Sequence, residues 1–97
     1  MSWTGTWTTQ PYGPLALTQN GNHVSGSYAY GTTTGTLSGT VNGGGYIISG
    51  TWYEDKEEGP FEFNMASSGN QFTGWWDYQN MTLVKEYNPA GNWNGNR

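Results

Sequence analysis

Aromatic rings are the main chemical resource of this chain. Its 97 residues include six tryptophans, seven tyrosines and three phenylalanines, against 10% charged residues, one histidine and no cysteine. On extended backbone, successive side chains point to opposite faces. That alternation puts Trp7, Tyr28, Tyr30, Trp52, Trp76 and Tyr78 on the same face of their segments. Together they could line a pocket with apolar walls and a few polar tips, suited to a small apolar or amphipathic molecule. The competing use is core filling, because a short chain without disulfides needs most of its large side chains for stability. Tyr30, Tyr53 and Tyr78, near the ends of their segments, are the residues placed to reach a ligand. Tyr53 and Trp75 fall on the opposite, outward face. An outward indole can stack on a sugar ring, with Asp77, Gln79 and Asn80 following directly to bind hydroxyls, unless segment 79–91 covers Trp75. The ligand-binding candidates are therefore Trp7, Tyr28, Tyr30, Trp52, Tyr53, Trp75, Trp76 and Tyr78.

Other chemistries have less to build on. The run Glu54-Asp55-Lys56-Glu57-Glu58 lacks the alternating Asp/Asn pattern of a calcium loop and reads as a solvated loop before a hairpin tip at Gly59-Pro60. His23 has no second histidine or cysteine with which to share a metal, and no Gly-x-Ser-x-Gly elbow offers a nucleophile. Gly43-Gly44-Gly45 precedes a strand and not a helix, so it reads as a turn and not a phosphate loop. The threonines around residues 32–36 suggest an ice-binding array, but a twisted barrel does not present a flat one. The expectation is a non-enzymatic protein with no metal and no cofactor. Seven acids against three bases disfavour nucleic acid, and no basic run or membrane-length apolar stretch suggests a bilayer. The N-terminal residues lack the basic and apolar regions of a signal peptide, and an absence of cysteine suits either compartment.

The elements that would hold these rings follow from an internal repeat. Trp3-Thr-Gly-Thr-Trp7 recurs as Val24-Ser-Gly-Ser-Tyr28, Leu37-Ser-Gly-Thr-Val41 and Ile48-Ser-Gly-Thr-Trp52, with looser copies at 72–76 and 93–97. On a strand, large–Gly–large falls on one face and small polar residues on the other. Glycine normally weakens a strand. Its central place in every copy implies that it makes room for neighbouring large side chains inside a narrow, curved sheet. Residues 14–19 and 60–66 add two further strands, separated from the rest by Asn- and Gly-rich turns. The predicted fold is all-β: residues 1–97 form a single small antiparallel up-and-down barrel of about eight strands. Segment 79–91 is irregular or a short helix, or else supplies a ninth strand.

These motifs resemble the calycin group of up-and-down barrels, which includes lipocalins and avidins. Gly5-Thr6-Trp7 is similar to the group's Gly-x-Trp first strand, and Arg97 matches the late basic residue that packs across that Trp. Segments 5–9, 14–19 and 26–30 resemble the first three strands of avidin-like chains. The resemblance implies a ligand at the barrel mouth. It does not carry biotin, because Thr9 stands where an Asn is expected and Tyr30 where a Ser is expected. Function is therefore expected to be small-molecule binding at an aromatic mouth. The alternatives are sugar binding through exposed Trp and Tyr, or a protein-binding or inhibitory barrel.

Overall fold

The computed structural model describes residues 2–10, 13–54, 57–77 and 91–97. Its strands are β1 (Gly5–Gln10), β2 (Gly13–Asn20), β3 (His23–Tyr30), β4 (Thr33–Asn42), β5 (Ile47–Glu54), β6 (Glu57–Met65), β7 (Gln71–Trp76), β8 (Gly91–Asn92) and β9 (Asn94–Asn96). β1 to β7 pair in chain order, all antiparallel. The sheet closes because β9 pairs with both β7 and β1. β8 and β9 flank Trp93 and keep one register against β7, with Trp75 opposite Asn92 and Phe72 opposite Gly95. Together they form the eighth stave. The ladder is interrupted between them because the Gly74 N–H donates to Asn94 Oδ1, while Trp93 N–H still donates to the Gly74 carbonyl. No α-helix occurs among the described residues, and the proposed helix or extra strand at 79–91 falls almost wholly outside them.

Followed pair by pair around the closed sheet, the register returns to β1 ten residues from where it started. Such a stagger tilts the strands by roughly 40° and leaves an interior that side chains can fill. They do fill it. Trp3, Trp7, Leu15, Leu17, Val24, Tyr28, Leu37, Ile48, Trp52, Phe61, Phe63, Phe72 and Trp93 are all buried. Large inward residues face glycines across the sheet: Tyr28 opposes Gly35, Trp52 Gly59, Phe63 Gly74, Phe72 Gly95 and Trp76 Gly91. A Cβ on Gly35 would sit 2.4 Å from the Tyr28 ring, and one on Gly95 2.6 Å from the Phe72 ring. Ring and glycine are thus one packing unit divided between two strands.

Two boundaries differ from those read in the repeat. Trp3 and Thr4 precede β1, which begins at Gly5 (φ +142°), and Trp3 turns in to plug that end of the barrel. Trp3 N–H donates to Gln19 Oε1 (2.9 Å), its Nε1 donates to the Gly45 carbonyl, and Trp7 Nε1 donates to the Trp3 carbonyl. Gly59-Pro60 is no hairpin tip. β5 and β6 pair as far as Glu54 opposite Glu57, and both Gly59 and Pro60 sit inside β6.

Candidate functional site

The eight candidates do not converge on one place. Trp7 belongs to the plugged end, packed against Trp3 (5.6 Å between ring centroids) and Phe72 (5.2 Å). Arg97 lies over it, its guanidinium carbon 4.3 Å from the ring centroid, as the resemblance implied. The same guanidinium donates to the carbonyls of Gly69, Thr4 and Ser2. Trp7 is therefore part of the core.

Tyr28, Trp52 and Trp76 lie toward the opposite end, from which the chain leaves β1, β3, β5 and β7. Tyr28 and Trp52 are buried and Trp76 is half-buried. Tyr28 meets Trp93 edge-on at 5.0 Å, and Trp52 meets Trp76 edge-on at 5.6 Å. The Tyr28 hydroxyl donates to Glu54 Oε2 (2.7 Å). Glu54 and Trp93 were not among the candidates, although each follows from strand alternation. Tyr30 ends β3, and Tyr78, Gln79 and Asn80 lie outside the described residues.

Asp77 was expected to face outward with Trp75 and bind hydroxyls. It is instead 99% buried (1% exposed) just past the end of β7. Asp77 N–H donates to the Pro60 carbonyl. In an unbroken ladder the residue at 60 would return a bond to the Asp77 carbonyl, but proline has no N–H. Trp52 Nε1 supplies that bond instead (3.0 Å). Gly59 allows the close approach, since a Cβ there would lie 1.9 Å from the Asp77 carbonyl oxygen. The backbone at Asp77 is thus held to β6 by a main-chain bond and to β5 by an indole bond.

The outer wall carries Tyr53 and Trp75. Tyr53 is 44% exposed. Beside it runs an open trough of about 640 Å³ bordered by Thr6, Ala16, Ser27, Thr36 and Tyr53. These five residues are direct neighbours in successive strands from β1 to β5, so small side chains form the floor and the tyrosine forms one bank. Trp75 is half-buried, and its Nε1 donates to Glu62 Oε1 (3.1 Å), the residue opposite it on β6. That bond fixes the edge of the indole on the wall. Pro60 is exposed on β6 between these two rings, on the face opposite the inward Phe61, Phe63 and Met65, and Glu62 shares that outward face.

His23 is exposed at the start of β3, as expected, and Glu57 and Glu58 are exposed on β6. Among the described residues, no group of three His, Cys, Asp or Glu side chains could hold a metal ion. Compared with family models, curated proteins and solved structures, the chain matches none.

Proposed function

We propose that this protein is a non-enzymatic binding module built on a calycin-like barrel, and that it takes a carbohydrate on its outer wall. One observation carries this reading: the aromatic residues divide into two populations. The inward rings are consumed by core packing, whereas Tyr53 stands exposed beside an open trough and Trp75 is pinned on the wall by Glu62. Tyr53 supplies exposed stacking area, the half-buried Trp75 is held in one orientation by Glu62, and the hydroxyls and carboxylates around them can take a sugar's hydroxyl groups. The Arg97–Trp7 contact and the closed eight-stave sheet support the kinship with calycin-like barrels.

A second reading is a small apolar or amphipathic ligand at the end holding Tyr28, Trp52 and Trp76, favoured by the partial exposure of Trp76. Titrating the protein with a panel of neutral sugars and, separately, with an environment-sensitive apolar dye separates the two. Sugar binding that is weakened by Tyr53→Ala and unaffected by the dye supports the outer-wall reading. Dye binding without any sugar binding supports the second.

A further inference from the structure

The register of β5, β6 and β7 aligns three rings that the sequence leaves 22 residues apart from end to end. Tyr53 is opposite Glu58, while Pro60 is opposite Thr51, so Tyr53 and Pro60 are diagonal neighbours on the outer face. Trp75 is opposite Glu62, two residues beyond Pro60 on the same face of β6, so Pro60 and Trp75 are diagonal neighbours as well. Both steps run the same way along β6, away from Glu57. Diagonal neighbours on a sheet are roughly 7–8 Å apart, which makes a straight strip of three rings about 15 Å long.

The flanks of the strip are polar on both sides. Glu58 and Asn92 adjoin it on the side toward Glu57, and Thr51 and Glu62 adjoin it on the other side. Among the described residues the basic side chains are His23 and Arg97, and neither is on β5, β6 or β7. Carboxylates beside the rings oppose an anionic ligand and accept hydrogen bonds from hydroxyls.

We infer that Tyr53, Pro60 and Trp75 form one continuous binding strip for an unbranched, neutral glycan chain, whose successive rings stack along the diagonal while their hydroxyls reach the flanking carboxylates, amide and threonine. This rests on the carbohydrate reading above and adds to it the form of the ligand. A flat, extended chain fits a straight strip, whereas a single sugar needs only one of the rings.

Isothermal titration of the full chain with cello-, chito- and manno-oligosaccharides, from the monosaccharide to the hexasaccharide, tests it. Affinity in the series that binds is expected to rise with chain length until about three or four rings span the strip, and then to level off. Tyr53→Ala and Trp75→Ala are each expected to weaken binding of the longest chain about tenfold and to flatten the length dependence. Trp75→Phe, which keeps a ring and loses the Glu62 bond, should retain part of the affinity and serves if Trp75→Ala fails to fold. Length-independent affinity, or a loss confined to one of the two aromatic positions, overturns the strip and leaves a one-ring sugar site standing. Absence of binding in all three series overturns both.

Discussion

Gly50 shows how a single missing side chain sets the geometry of this protein. A Cβ at that position would lie 2.0 Å from the Ser38 carbonyl oxygen and 2.5 Å from the Gly39 Cα, on backbone that cannot move away without parting β4 from β5. Gly50→Val is therefore expected to cost about 3 kcal/mol or more, or to prevent folding, as read from chemical denaturation. The neighbouring outward change Thr51→Val should stay within about 0.5 kcal/mol. Arg97 works in the other direction, by adding contacts. It stacks on Trp7 and ties the carbonyls of Gly69, Thr4 and Ser2 to the last strand, so one side chain holds three chain segments together at the plugged end. Arg97→Met, which keeps the aliphatic stem, should lower stability by about 2 kcal/mol, visible as a fall in Tm. The resemblance placed Arg97 over Trp7, and the repeat placed glycine where it makes room for rings, as at Gly35 and Gly95; at Gly50 the room is taken instead by the β4 backbone. What could not be read is which glycine meets which ring, because that depends on cross-strand register.

At the scale of the strands, Pro60, Asp77 and Trp52 form a substitution within the β6–β7 ladder. Proline removes a donor, and an indole from β5 replaces it at the Asp77 carbonyl. Trp52→Phe should leave that buried acceptor unfilled, costing about 1–3 kcal/mol beyond the lost volume. Pro60→Ala restores a backbone N–H aimed at the same oxygen. In the Trp52→Phe background it should recover about 1 kcal/mol relative to its effect in the wild type, a coupling measurable by a double-mutant cycle. If the two changes are additive, the exchange of donors is wrong. Gly59-Pro60 also shows why strand ends are hard to read from sequence. A Gly-Pro pair is a strong turn signal, yet here glycine admits the neighbouring carbonyl and proline sits where its missing N–H is covered. Asp77, a site residue expected on the surface, is buried just past the end of β7. Strand alternation correctly assigned most side chains to an inner or outer face.

For the molecule as a whole, closure decides where a ligand can go. Eight staves with this stagger enclose a space that Trp3, Trp7, Trp52, Trp93 and the phenylalanines occupy, so large inward residues are committed to stability. The number of strands and the all-β class were readable from the spacing of the repeat. The division of aromatic labour was only half readable. Alternation set Tyr53 and Trp75 apart from the inward rings, but their alignment with Pro60 exists only once β5, β6 and β7 are in register. The barrel is filled, and the proposed ligand binds on its outside. The most direct test follows the six indole N–H signals by NMR while the hexasaccharide of the glycan series that binds is added. The Trp75 signal is expected to shift, while those of Trp3, Trp7, Trp52 and Trp93 stay in place. Shifts at Trp7 or Trp52 with Trp75 unmoved would place the ligand inside the barrel and contradict binding on its outside.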